Sequence, residues 1–160
     1  MGIVNVTPDS FSDGGVHFVG RFAVESALRM VGDGATIIDV GGESTRPGAE
    51  PVPVEEELSR VLPVIRAIRE RSEVAISVDT MKAEVASEAI AAGADIINDV
   101  TALRHDPRML EVAASSDVPL ILMHMRGEPN TMQRYIHYDN LIGEVYGELE
   151  AWRDHAVKKG

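Results

Sequence analysis

The 160-residue sequence has no cysteine, which excludes disulfides and thiolate-metal sites. Basic residues are scarce: 15 Lys and Arg stand against 26 Asp and Glu, a net charge of −11. Binding a nucleic-acid backbone needs clustered Lys and Arg, so a general nucleic-acid surface is excluded. Any anionic ligand must be met locally, by a metal ion or a few placed cations. Long apolar runs are missing as well. The stretch 118–123 is broken by Pro119 and is far too short to span a bilayer. Residues 1–10 lack the basic region and long apolar stretch of a signal peptide. A cytoplasmic protein with no membrane partner is expected. What is present is ordinary for one globular domain: 44% apolar and 26% charged residues, in a chain long enough to bury a core.

Short apolar runs alternate with helical patterns. Residues 1–6, 36–40, 74–79, 95–100 and 120–123 are nearly continuous in Ile, Val, Leu and Met, as parallel strands covered on both faces should be. Between them, Val24, Ala27, Leu28 and Val31 share one helical face, and Leu58, Val61, Leu62, Ile65 and Ile68 a second. Val85, Ala86, Ala89 and Ile90 share a third, which Gly93 ends. Residues 139–159 read as a last helix and residues 7–20 as a long polar loop. Five strands and five helices are expected in all. Gly34-Ala35-Thr36-Ile37-Ile38-Asp39-Val40 is echoed by Gly93-Ala94-Asp95-Ile96-Ile97-Asn98-Asp99-Val100. The two glycines lie two β/α units apart, so a unit averages about 30 residues, the spacing of an eight-unit barrel. A five-stranded doubly wound sheet would be complete at this length. No glycine-rich dinucleotide fingerprint follows the first strand to favour it.

In either architecture, function gathers at the C-terminal ends of the strands. Those ends carry Asn5, then Asp39 with the glycine-rich loop from residue 41 to 53, then Asp79, then Asn98 and Asp99, then Met123 and His124. Polar residues at nearly every strand end point to one shared site. Blander roles are open to each. Asp79 could cap a helix starting near Met81, Asn5 could form a turn, and Arg46 could pair with Glu43 or Glu50. His124 has no second His at helical spacing and is expected to be structural. Met123, Met125 and Met132 could simply fill gaps, and the acidic run 55–57 suits the opening of the second helix.

Five segments, in order, resemble the signatures of dihydropteroate synthases. Met1-Gly-Ile-Val-Asn5-Val-Thr-Pro-Asp-Ser-Phe11-Ser-Asp13-Gly-Gly15 is similar to the first and Ile38-Asp-Val-Gly-Gly-Glu-Ser-Thr45-Arg46-Pro47-Gly48 to the second. Ser77-Val-Asp79-Thr80, Ile97-Asn98-Asp99-Val100 and Leu122-Met123-His124-Met125 are similar to the family's third, fourth and fifth strand ends. The resemblance implies an α/β fold, the N-terminal five β/α units of a TIM (β/α)8 barrel, with residues 1–160 forming one partial pterin-binding domain. It implies condensation of 6-hydroxymethyl-7,8-dihydropterin pyrophosphate with 4-aminobenzoate, releasing pyrophosphate, with Mg²⁺ required. On this resemblance Asp79 and Asn98 pair with the pterin edge and Met123 covers its face. Asn5 is the Mg²⁺ ligand. Thr45 and Arg46 meet the departing pyrophosphate, Asp13 stabilises a pterin cation, and Phe11 and Pro47 shape the aminobenzoate pocket.

The family pattern continues beyond what this sequence matches. Complete members carry a later strand ending in an aspartate, a seventh supplying a lysine and an eighth supplying an arginine and a histidine, and nothing after Asp139 corresponds to these. The barrel is therefore expected to be incomplete at its C-terminus, the chain alone to lack turnover, and its open strand edges to favour a homodimer. Two alternatives share parts of the pattern: a methyltetrahydrofolate–corrinoid methyltransferase, which would keep the Asp79 and Asn98 pair, and a non-catalytic pterin-binding half-barrel.

Overall fold

Five short strands lie side by side in chain order, every neighbouring pair parallel: β1 (Gly2–Asn5), β2 (Ile37–Gly41), β3 (Ala75–Asp79), β4 (Ile96–Asp99) and β5 (Leu120–Leu122). The computed structural model describes residues 1–7, 15–44, 50–129, 131–134 and 136–158, the side chains of 15–19 excepted. Helices α1 (Gly15–Gly32), α2 (Val54–Arg69), α3 (Ala83–Ala91) and α4 (Met109–Ser116) form the crossovers, and α5 (Leu141–Val157) follows β5 after a short 3₁₀ turn at Met132–Arg134. A parallel sheet with no reversal of strand order, crossed always with one hand, keeps its helices on one side. That is the arc of a (β/α)8 barrel, and a doubly wound sheet would instead reverse order at a switch point.

Side chains alternate across each strand, so the two faces differ in chemistry. The outer face carries Val4, Ile38, Val40, Ile76, Val78 and Ile97, all at 3% exposure or less. All but Ile97 pack against Ala23, Val24 and Ala27 of α1, Val61, Val64, Ile65 and Ile68 of α2, and Val85 and Ala89 of α3. A second cluster joins Ile97 to Ala86, Met109 and Ala113 under α4. Helix α4 buries only Met109 and Ala113 along its eight residues, which explains why its stripe is the hardest to read in the sequence. Helix α1 begins at Gly15, five residues earlier than the polar loop expected to reach residue 20. The glycines and polar residues there mimic a loop signal that the helix overrides.

The repeated glycine is a repeated helix stop. Gly34 and Gly93 take φ of +102° and +114°, a region only glycine enters without strain. Each is followed by the same bonds: Gly34 N–H donates to the Val31 carbonyl and Ala35 N–H to that of Met30, as Gly93 N–H does to Ile90 and Ala94 N–H to Ala89. These are Schellman closures, and each feeds directly into a strand.

At the N-terminal end of the strands, Arg69 braces two units at once. Its guanidinium donates to the carbonyls of Gly93 (2.9 Å), Val74 (3.0 Å) and Ser72 (3.3 Å) and pairs with Asp95, whose Oδ2 also accepts from Ile76 N–H at 2.8 Å. The C-terminal ends of the strands are left free for chemistry.

Candidate functional site

Strand register lines up one row across the inner face. Asn5 pairs with Gly41, Gly41 with Asp79, Asp79 with Asn98 and Asn98 with Ile121. The row two residues below contains Ile3, Asp39, Ser77 and Ile96, paired in the same order. Because alternate residues share a face, both rows look into the barrel, and Met123 follows Ile121 on the same side. The structure thus brings Asn5, Asp79, Asn98 and Met123 together from four different strand ends. Met123 is 37% exposed, an apolar surface open to a ligand face. The expected residues Phe11, Asp13, Thr45, Arg46 and Pro47 lie outside the described residues.

Asp79 has the electrostatics of a binding group. Its Oδ1 is buried and has no hydrogen-bond partner. Burial, followed by the charges of Asp39, Glu57, Asp99 and Glu43, pushes its carboxyl up from 3.8 to about 7. A group held so far from its usual value marks a site where a partner is expected. It does not cap α3: the N-cap is Lys82, and the Ala83 N–H donates to Asp106 Oδ2 at 3.1 Å. Arg108 beside Asp106 in turn holds that carboxyl down to about 2.

Gly41 keeps the floor of the row open. A Cβ built there would sit 3.4 Å from Asp79 Oδ2 and 3.7 Å from Asn5 Oδ1, so a glycine leaves a space flanked by two oxygens. Among the described residues no group of three or more His, Cys, Asp or Glu is placed to hold a metal. The Asn5 amide oxygen and the Asp79 carboxylate beside this space are donors that fit a hard cation keeping most of its waters, as Mg²⁺ does.

Two sets of contacts escaped the sequence reading, where Asp39 stood only as a polar strand end. Asp39, 4% exposed, accepts from Ser77 Oγ through Oδ1 and from Asn98 Nδ2 at 3.2 Å through each oxygen. The available signal was a carboxylate and a hydroxyl in the middle of apolar strands, where an unpaired polar group is costly. The second set is a buried triad. Lys82 Nζ donates to Glu43 Oε2 at 2.6 Å and to Glu57, which is fully buried. Burial alone would lower the Lys82 ammonium, but its bonds to Glu43 and Glu57 outweigh that and hold it above the ordinary lysine range. Glu43 also accepts from Val52 N–H at 3.1 Å, and Gly42 O from Arg60 at 2.7 Å, so the base of the β2 exit loop is fixed at both ends. The acidic run does open α2, as expected, but Glu57 turns inward. Glu43 and Lys82 also line a cleft of about 490 Å³ between the exit loops of β2 to β5, with Thr101, Arg104 and His105; Asp79 and Asn98 do not reach it.

His124 has the expected structural role. Its Nε2 lies 2.8 Å from Glu148 Oε2, and its ring stacks on Trp152 with centroids 5.5 Å apart. Arg126 pairs with Glu144 (2.7 Å) and Glu148 and lies over the Tyr138 ring, while Arg104 lies over Trp152. These contacts tie α5 to the segment that follows β5 and to the exit loop of β4. Met125 is buried, consistent with a packing role.

A family model described as pterin binding enzyme matches residues 1–160. Over 145 residues the chain is 59% identical to the dihydropteroate synthase of Escherichia coli, covering 91% of this chain and 51% of that protein. It superposes on the Xanthomonas albilineans dihydropteroate synthase solved with 4-aminobenzoic acid, with a TM-score of 0.91 and 51% identity, over 100% of this chain and 56% of that one. The match to the Yersinia pestis dihydropteroate synthase, solved as a sulfonamide drug complex, has a TM-score of 0.91 and 49% identity, over 100% of this chain and 58% of that one. The chain spans about half the length of the curated relatives it matches.

Proposed function

Because the chain belongs to the pterin-binding enzyme family, we propose that its inner face is the pterin- and metal-binding part of a dihydropteroate synthase, acting in folate synthesis. The observation that carries this reading is the register row Asn5–Gly41–Asp79–Asn98, with a buried, unpartnered carboxylate oxygen at its centre. A pterin presents ring N–H groups in a fixed pattern, and Asp79 with Asn98 offers acceptors at adjacent positions. Met123 supplies the apolar contact for the ring face. Relatives solved with 4-aminobenzoic acid and with a sulfonamide drug support 4-aminobenzoate as the second substrate and sulfonamides as its competitors.

The reaction joins the amine nitrogen of 4-aminobenzoate to the exocyclic methylene carbon of the pterin. The C–O bond to pyrophosphate breaks, pyrophosphate leaves with the electron pair, and the amine gives up a proton. Asp79 and Asn98 hold the ring so that the methylene carbon faces the amine, which makes the step effectively unimolecular. Asn5 would hold Mg²⁺ through its amide oxygen, and the ion when bound neutralises charge on the departing pyrophosphate. The resemblance adds Thr45 and Arg46 at the pyrophosphate, Asp13 beside the pterin cation formed if C–O cleavage leads, and Phe11 and Pro47 around 4-aminobenzoate.

Self-association as a homodimer is part of the proposal, and apolar side chains exposed on α5, Leu141, Ile142 and Tyr146, support it. A cytoplasmic location is proposed as well. Among the described residues no helix is long and apolar enough to cross a membrane. The test is pyrophosphate release by the full-length protein from pterin pyrophosphate and 4-aminobenzoate with Mg²⁺, with scattering mass measured on the same sample. Turnover that Asp79→Ala abolishes supports the reading. Turnover indifferent to Asp79→Ala, or none from a folded full-length protein, sinks it.

A further inference from the structure

Asp39 lies one layer beneath the row of strand-end residues. It sits two residues below Gly41 in β2, in the buried row, and its carboxylate accepts from donors on β3, its neighbour, and on β4, the next strand across. Ser77 Oγ donates to Oδ1 from β3, and Asn98 Nδ2 lies 3.2 Å from both oxygens from β4. A carboxylate so surrounded accepts only, so the Asn98 nitrogen must face it and the Asn98 oxygen turns the other way. An unanchored amide has no such preference, because its oxygen and nitrogen are nearly the same size and exchange places by a simple flip.

That orientation decides what the site can read. With its nitrogen held by Asp39, Asn98 keeps its oxygen as an acceptor at the register position beside Asp79, whose carboxylate supplies the other. With its amide reversed, Asn98 would set N–H against N–H and oppose the same ligand. We propose that Asp39, braced by Ser77, is a positioning residue that locks the Asn98 amide with its oxygen outward. This makes the Asp79–Asn98 pair selective for a heterocycle edge presenting adjacent N–H donors. The proposal rests on the pterin-binding reading above for the identity of that heterocycle.

The test is a double-mutant cycle in the full-length protein, with calorimetric affinity for 6-hydroxymethyl-7,8-dihydropterin pyrophosphate as readout and the melting temperature followed in parallel. Asp39→Asn alone should weaken binding about tenfold, the loss of one oriented hydrogen bond. In an Asn98→Ala background the same change should have almost no further effect, because its target is gone. A merely structural role for Asp39 would lower the melting temperature and leave no such coupling. Should Asp39→Asn fail to fold, Ser77→Ala carries the same cycle with an expected loss of about threefold. Losses that multiply in the double variant, or an unchanged affinity in the single one, overturn the positioning role while leaving pterin binding intact. An unmodified protein that does not bind the pterin overturns the functional reading and this proposal with it.

Discussion

Replacing Lys82 with methionine should unfold the region around the β2 exit loop more effectively than any surface substitution. The side chains of Glu43 and Glu57 are 8% and 0% exposed, and Lys82 Nζ is the cation that both share. Lys82→Met keeps the length of the side chain and removes only the charge. Breaking a buried ion pair by removing one partner costs about 3–5 kcal/mol, because the remaining charge has neither water nor a counterion. Two carboxylates are orphaned here, and the surroundings have little room to relax. A Cβ on Gly42 would already come within 2.8 Å of Val61 Cγ1 and 3.0 Å of Glu57 Cγ. The upper part of that range is therefore expected near neutral pH. Urea denaturation of the full-length protein measures it as a lower midpoint at constant slope. One control isolates the mechanism. Glu57→Gln in the Lys82→Met background should recover part of the loss, because it removes one of the two orphaned charges. A deficit below about 1 kcal/mol, or one that Glu57→Gln does not reduce, would refute the reasoning.

Other perturbations probe the site and its supports. Asp99 accepts from Thr101 N–H (2.8 Å), Thr101 Oγ (2.7 Å) and Leu103 N–H (2.9 Å), and so holds Ala102 and Leu103 at φ of 51° and 66°. Asp99→Ala should cost about 3 kcal/mol in urea denaturation, while Ala102→Gly should be neutral or stabilising by up to about 1 kcal/mol. Asp79 titrates near 7 in the free protein, well above its unfolded value of 3.8. Its stabilising contribution is therefore present below about pH 4 and lost as the pH rises through about 7, and Asp79→Asn should gain relative stability at alkaline pH. N–H donors favour the ionised form, so pterin binding near pH 7 should release about half a proton, and Asp79→Asn none. Calorimetry in two buffers of different ionisation enthalpy counts it. Gly41→Ala should leave the melting temperature nearly unchanged, since its closest contacts are ordinary ones, yet abolish Mg²⁺-dependent pterin binding.

The fold was legible where local signals and topology agree. The apolar runs marked all five strands to within two residues, and the glycines at 34 and 93 marked two helix ends through a backbone conformation few other residues adopt. Helix α4 was faint because it buries two side chains. In the inner row, Asn5, Asp79, Asn98 and Met123 were singled out because they stand at strand ends inside recognisable motifs. Asp39 and Ser77 were harder, since their partners are brought together by strand register, and register is not local in sequence. The Lys82 triad was hidden for the same reason: Glu57 looks like any acidic residue in a first helical turn until α2 docks on β2. Sequence supplies the donors, and only the assembled sheet decides which donor faces which acceptor.

Arg69 has a further consequence, for how the molecule opens. One guanidinium holds the end of α2, the approach to β3, the turn after α3 and the start of β4. None of these elements can detach without stripping donors from the others. Amide protons along α2, β3, α3 and β4 should therefore exchange with solvent as one cooperative unit, so the stretch from α2 to β4 behaves as a single element of folding.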